Sequence, residues 1–414
     1  MAASSARNPK TEAALHSSIT KIVKDYRNKK AQLSSKASIY RVPQKLRKLK
    51  ESAYTPRIVS IGPYHKHDER LKDMEDQKKS YTSSLLSRVI EPGQTTDAAI
   101  KEITNKILDK AADARSCYAA THELDDDVRR QKADQPQNVD LILGNTLVFL
   151  DVRNDLLLLE NQIPMFVLQT LFDFSLVQAV QPHPLFDLII SFFGNMLNFK
   201  LKIRKVVMPE TAAHILGLLH DCYLPCDTAA LERQNTNQII KHSAVDLDRA
   251  GVDFKEGKGR DQICLFGRTC FEIPKLCIYD STEPFLRNLI AFEQCSPSIP
   301  RHITSYAFLM DTLINTKDDV EVLEKAGVLE NHLAASEDAT RLFNTICKEV
   351  VLGEFTFWKQ WCDVEKYCNS EWPSHLASPR RDYFSSPWAL ISVIAALILF
   401  ALTVLQTVYT VRAG

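Results

Sequence analysis

The run from Trp388 to Val411, WALISVIAALILFALTVLQTVYTV, carries no charged side chain and restricts the chain more than any other stretch. At about 1.5 Å per helical residue it is long enough for a hydrocarbon core of roughly 30 Å. Thirteen of its side chains are Leu, Ile, Val or Phe, and Gln406 with Thr403, Thr407 and Thr410 sits toward one end. The run predicts a single transmembrane helix over 388–411, entered at Trp388 and preceded by a juxtamembrane linker over 373–387. The alternative is a buried core helix, for which an uninterrupted run of this length is unusual.

Arg412, Ala413 and Gly414 alone follow the run, and no continuous apolar stretch opens the chain. The expectation is a tail-anchored, single-pass membrane protein of the plasma membrane or endomembranes, with its bulk in the cytosol. Arg380 and Arg381 before the run, against Arg412 after it, agree with that orientation. None of the sixteen asparagines lies in an Asn-x-Ser/Thr sequon, and the ten scattered cysteines read as reduced thiols. Membrane lipid is the partner that 388–411 specifies. Ser392 and Ala396 add a small-xxx-small face suited to self-association, hence an expected homo-oligomer.

The rest of the chain has a globular composition, with 45% hydrophobic and 25% charged residues. Only 12 glycines leave few tight turns, which favours helices over many short strands. Zero net charge conceals a basic N-terminus: thirteen Lys or Arg against Glu12 and Asp25 in the first fifty residues. Residues 1–36 read as a basic, partly helical arm that is solvated or touches anionic lipid. With little aromatic interleaving, nucleic acid is not an expected partner.

Helical spacing of apolar residues predicts helices over 12–32, from Leu71 to Val89, and over 98–122. A polar stretch near 124–140 marks a soft internal boundary. Between the first two helices lies AYTPRIVSIGPYH (Ala53 to His65), which prolines and a glycine turn into an ordered aromatic loop. Asp151 to Phe174 reads as a helix buried around most of its circumference, with Pro164 starting or kinking the next one. Further helices are expected over 184–199, 283–294, 303–314, 318–326 and 335–351, and a β-hairpin at 262–279 around Gly267 and Arg268.

Three clusters invite chemistry. His65 and His67, with Asp68 and Glu69, resemble a metal site, but Lys66 between them favours a surface loop or cap. Glu160 lies beside Asn161 and Gln162 at the end of a four-leucine run. It is either a catalytic acid in an apolar pocket or part of a buried polar knot, and the second reading is preferred because no second carboxylate or nucleophile stands at catalytic spacing. His220, Cys222 and Cys226 match no zinc module, and no activating pair marks a Cys–His nucleophile, so ordinary buried side chains are expected. No phosphate loop, dinucleotide fingerprint, HExxH or GxSxG is present. Neither a metal nor a cofactor is expected.

Several stretches, in order along almost the whole chain, resemble the plant family known as domain of unknown function 247. They are RVP at Arg41 to Pro43, AYTPRIVSIGPYH, Met74-Glu75 with Lys78, and DLLLLENQIPMFVL at Asp155 to Leu168. AGVDF at Ala250, FEIP at Phe271, RNLIAFEQC at Arg287 and the C-terminal apolar run complete the set. The resemblance implies a mainly helical plant protein with one C-terminal span and carries no enzyme activity or cofactor. In grasses, some members are linked to the male side of self-incompatibility. It also singles out Pro43, Tyr54, Pro56, Gly62, Pro63, Glu160, Asn161, Gln162, Pro164, Asn288 and Glu293 as structural motif residues, with no catalytic set. One departure stands out: the segment VDLILGNTLVFLDVRND lacks the Asp-Gly-Cys-Phe stretch that similar proteins usually carry there.

The fold class expected is therefore mainly α: a helical domain over 37–372 with a small hairpin, then the C-terminal span. The function expected is that of a non-enzymatic protein-interaction module in plant recognition or signalling, its protein partner unidentified. The alternative is a hydrolase-like enzyme using Glu160 or the His220/Cys222 region. The enzyme predicts a concave pocket holding a strongly shifted ionisable group; the interaction module predicts a convex fold with packed motifs.

Overall fold

A computed structural model describes residues 21, 37–89, 95–119, 145–175, 184–193, 196, 212–224, 234–235, 242–257, 265–267, 270–368 and 387–413. The expected arm over 1–36, but for Lys21, the boundary near 124–140 and the linker up to residue 386 lie outside these residues. The described structure is mainly helical and divides into two compact units.

The first unit comprises Met1–Met196, Ile203–Tyr223 and Glu283–Pro300. Its helices include Asp73–Val89, Thr96–Asp109, Thr146–Asp155, Met165–Ser175, Leu185–Phe193 and Ile215–Tyr223. Thr95 caps the second of these through Ala98 N–H, and Asn145 caps the third through the N–H groups of Leu147 and Val148. Asn145 and the helix it opens stand in the segment that lacks the Asp-Gly-Cys-Phe stretch. The helix Thr282–Cys295 supplies the unit with Phe285, Leu289 and Phe292, all at most 2% exposed.

The four leucines are a correction. Instead of one long helix, the chain leaves helical geometry after Asp155, passes through turns, and re-enters a helix at Met165, directly after Pro164. Leu157, Leu158 and Leu159 are nevertheless buried, to 4% exposure or less, each contributing about 1.5–3 kcal/mol of burial. Irregular backbone can be buried only where its polar groups find partners. Here neighbouring side chains supply them.

The second unit comprises Leu197–Lys202, Leu224–Thr282 and Arg301–Gly414. Among its described residues lie seven short strands: β1 (Gln234–Asn235), β2 (Asp253–Glu256), β3 (Leu265–Gly267), β4 (Cys270–Ile273), β5 (Leu276–Ile278), β6 (Leu329–Asn331) and β7 (Glu354–Phe355). The expected hairpin is present as β3 and β4, antiparallel with Phe266 opposite Phe271. β4 also pairs in parallel with β2, Phe254 opposite Phe271, and its alternation buries Phe271 and Ile273 fully. β1 pairs with β7 and β5 with β6. The helices Ala244–Arg249 and Lys317–Lys325 are tied by Asp319. Its carboxylate accepts Val245 N–H at 2.8 Å and Thr316 N–H at 2.9 Å.

The helix Pro387–Ala413 closes the described chain. The expected transmembrane helix over 388–411 is corrected: among the described residues, no helix is long and apolar enough to cross a membrane. The helix Pro387–Ala413 has 27 residues. Thr403 and Thr407 lie within it, their hydroxyls donating to Leu399 and Thr403 carbonyl oxygens at 2.8 Å. With the span go the single-pass and tail-anchored readings and the placement in plasma membrane or endomembranes.

Candidate functional site

The loop Ala53 to His65 is held from within by the turn that follows Asp155. Asp155 ends a helix, and its carboxylate accepts the successive N–H groups of Arg57, Ile58 and Val59 at 2.7–3.0 Å. Burial outweighs those bonds and raises the carboxyl above its ordinary value. Asn161, fully buried, accepts Ile61 and Gly62 N–H at 2.7 and 3.1 Å and donates to Val59 and Asp155 carbonyls at 2.9 Å. Gln162 donates to Leu156 and Leu158 carbonyls at 2.8 Å and accepts Leu216 N–H at 3.2 Å. Asn288 accepts Leu159 N–H at 2.9 Å and donates to Ala53 O at 2.7 Å and Pro284 O at 2.8 Å. Three buried amides thus replace the ladder that a helix or sheet would provide.

Glu160 points into the same interior and is 2% exposed. Its Oε1 accepts Val42 N–H at 2.6 Å and meets Arg47 at 2.7 Å, while Oε2 lies 3.2 Å from His65 Nε2. Burial pushes its carboxyl up, but His65, Arg47 and the Val42 amide outweigh it and hold the group below its ordinary value. The histidine of the suspected metal pair is thus turned inward to a carboxylate. His67 is exposed.

Two buried histidines flank Phe292, with ring centroids 4.9 and 5.6 Å from it. His214 accepts Gly217 N–H on Nδ1 at 3.0 Å, so Nε2 carries the proton that is donated to Ser38 O at 3.0 Å. Burial lowers its pKa from 6.5 to about 4. His220 meets the fully buried Glu293 at 2.8 Å and Asp221 at 3.6 Å. Burial opposes its charge, but Asp221 and Glu293 prevail and raise its pKa to about 9. The two histidines act on opposite limbs of a stability profile. The His220 contribution is complete below its ordinary value of 6.5 and is lost as pH rises toward about 9. The His214 contribution is complete above 6.5 and is lost as pH falls toward about 4. We expect the unfolding free energy of the full chain, from urea denaturation, to peak near neutral pH and to fall by about 3 kcal/mol on each limb. His220→Gln should flatten the alkaline limb alone; an alkaline limb unchanged in that variant would rule out this pair as its origin.

On its outer side the loop lines a cleft of about 410 Å³ with Ser60, Ile61, Gly62, Pro63, Lys66, Glu75, Lys78, Ala114, Arg115, Tyr118 and Ile163. Lys78 donates to Ser60 O at 2.6 Å and pairs with Glu75. The Tyr118 hydroxyl donates to Gln162 O at 2.9 Å, and burial holds the phenol protonated. Gly62 is where loop and turn touch: a Cβ there would lie 3.0 Å from Gln162 O and 3.2 Å from Glu160 O, both backbone atoms. Gly62→Ala should therefore cost about 1–3 kcal/mol, read as a lower urea midpoint. A midpoint equal to that of the unchanged chain would mean the loop can lift away.

The other residues singled out in the sequence fall around this arrangement. Pro43 precedes the short helix Gln44–Arg47, its carbonyl accepting Leu46 N–H at 2.9 Å. Tyr54 is 2% exposed, and burial pushes its phenol to about 12 against the pull of Arg287. Pro56 is buried and Pro63 begins a single 3₁₀ turn. Cys222 is partly buried, and burial with Asp221 nearby raises its thiol to about 11, away from the reactive thiolate. Cys226 lies outside the described residues. Sequence reasoning missed Arg47, Asp155, His214 and Tyr118. The signal available was the polar character of Asp155 beside an apolar run; the partners lie 44 to 118 positions apart in sequence.

A family profile described as "Plant protein of unknown function", DUF247, matches residues 39–402. The UPF0481 protein At3g47200 of Arabidopsis thaliana is 25% identical over 410 residues, covering 89% of this chain and 85% of the relative. The putative UPF0481 protein At3g02645 of the same plant is 22% identical over 476 residues, covering 89% of each. No solved structure matches.

Proposed function

The chain belongs to the plant family DUF247, and from that premise we propose that it is a non-enzymatic protein-interaction module of recognition or signalling. Its partner docks an acidic segment in the cleft beside Gly62. Pollen–stigma self-incompatibility is the setting that the family resemblance favours. One observation carries the reading: the groups with the chemistry of an active site are turned away from the cleft. The cleft is concave, as an enzyme requires, yet Glu160, His214 and His220 are not among its lining residues and are engaged by the chain's own backbone or by Arg47, His65, Asp221 and Glu293. What the cleft presents instead is Lys66, Lys78 and Arg115 against one carboxylate, Glu75, around the apolar Ile61, Pro63 and Ile163. Cations around an apolar floor suit an acidic segment with an apolar anchor.

A photo-cross-linking residue in place of Ala114, in the full chain expressed in plant tissue, tests this. A discrete protein adduct is expected from that position and not from exposed Glu321, and Lys66→Glu with Arg115→Glu should abolish it. An adduct indifferent to charge reversal would overturn the docking mode. Turnover of an ester or phosphate substrate by the purified chain, lost in Glu160→Gln, would overturn the non-enzymatic reading itself.

A further inference from the structure

In the second unit, β5 and β6 are parallel, with Leu276 opposite Leu329, Cys277 opposite Glu330 and Ile278 opposite Asn331. Val328 O and Ile278 O extend the ladder, accepting Leu276 and His332 N–H at 2.9 Å. Alternation sends Leu276, Ile278 and Leu329 into the core. It brings Cys277 and Glu330 to the other face, with His332 two residues beyond Glu330. Register is set just upstream by Gly327, whose φ of +73° ends the helix Lys317–Lys325 and turns the chain into β6.

On that face the Cys277 thiol lies 3.6 Å from Glu330 Oε2, and His332 Nε2 lies 2.9 Å from Glu330 Oε1. One donor atom from each of the three residues falls within 4.8 Å of the others. Tyr279 stacks on His332, centroids 4.3 Å apart and planes 4° from parallel, which fixes the plane of the imidazole. Donors around a tetrahedral zinc-type ion stand roughly 3.4–3.6 Å apart. The thiol–carboxylate separation already matches that, the imidazole–carboxylate one is shorter, and all three donors lie within 4.8 Å, so side-chain rotation alone brings them to the spacing.

We propose that Cys277, Glu330 and His332 form a binding site for a divalent transition-metal ion of the zinc class, with the remaining position open to solvent. The donor set is one soft sulfur, one borderline nitrogen and one carboxylate oxygen, which favours zinc or cobalt over magnesium or calcium. Cys277 is 1% exposed, whereas His332 and Glu330 are 37% and 43% exposed, so the ion enters from the His332 side and meets the sulfur last. As the sulfur–metal bond forms, the thiol proton leaves to solvent; no electrons are transferred. Lys275 pairs with the Oε2 oxygen of Glu330 and competes with the ion for that carboxylate. The ion would clip β5 to β6, two segments about fifty positions apart in sequence.

Cobalt(II) titration of the reduced full chain tests the site. One equivalent should produce the near-ultraviolet thiolate-to-cobalt charge-transfer band. Cys277→Ser should abolish that band and His332→Ala should weaken binding by more than about tenfold, while Cys222→Ser leaves both unchanged. Lys275→Ala, which removes the competitor and leaves the buried thiol intact, should tighten binding. No charge-transfer band, a band that persists in Cys277→Ser, or unchanged affinity in Lys275→Ala would each overturn the proposal. The last holds even if Cys277→Ser does not fold.

Discussion

Glu160→Leu should lower the stability of the first unit by roughly 3–5 kcal/mol, among the larger losses expected of any single substitution. Removing the carboxylate strips Arg47, 18% exposed, of its 2.7 Å partner and leaves the buried Val42 N–H without its acceptor. Arg47→Leu alone should also be costly, because the carboxylate then stays buried beside His65. The double substitution should cost less than the sum of the two, since no uncompensated charge remains. Glu160→Gln keeps an acceptor for Val42 and should fall between. Urea denaturation of the four chains gives the coupling directly. Because Glu160 titrates below its ordinary value when folded, its contribution is complete above that value and fades as pH falls through the lowered one. The difference between Glu160→Leu and the unchanged chain should therefore shrink in acid. Additive losses, or a Glu160→Leu loss under about 1 kcal/mol, would mean that the pair is incidental to the fold.

Asn161→Leu should be at least as damaging, by about 4 kcal/mol or more, although shape and volume are nearly kept. Two N–H donors and two carbonyls lose their partner at once at a site with no exposure. Each buried group left unmet costs about 1–3 kcal/mol. Asn161→Asp should not rescue, since one carboxylate oxygen would face the Val59 and Asp155 carbonyls. Hydrogen exchange sharpens the test: the amides of Ile61 and Gly62 should lose protection in Asn161→Leu, while those of Phe271 and Ile273 in the other unit keep theirs. Protection at Ile61 equal to that of the unchanged chain would mean that the loop is held by something other than this amide.

What the sequence disclosed follows from which forces are local. Amphipathic spacing and turn residues placed the helices Asp73–Val89, His302–Leu313 and Lys317–Lys325 and the β3–β4 hairpin within a few positions. The span over 98–122 is instead two helices in its described part, Thr96–Asp109 and Ala111–Ser116. The parallel pairs β2–β4 and β5–β6 were not legible, because nothing in a strand of three or four residues specifies which distant segment it pairs with. The leucine run misled for a related reason. Its apolar density is that of a buried helix, and the amides of Asn161 and Gln162, which let it be buried without helical bonding, act across space. The C-terminal run was read from composition alone.

The arrangement of Asn161 also separates two kinds of inheritance. The shape of the cleft's loop is imposed from behind by Asp155, Asn161 and Gln162, none of which lines the cleft. Outward-facing positions such as Lys66 and Arg115 can therefore vary without unfolding the loop that presents them. A lineage could diversify what it recognises at these positions while the inner amides keep every variant foldable. Among relatives, changes at the rim should track differences in partner, and changes at the three inner residues should be rare and compensated.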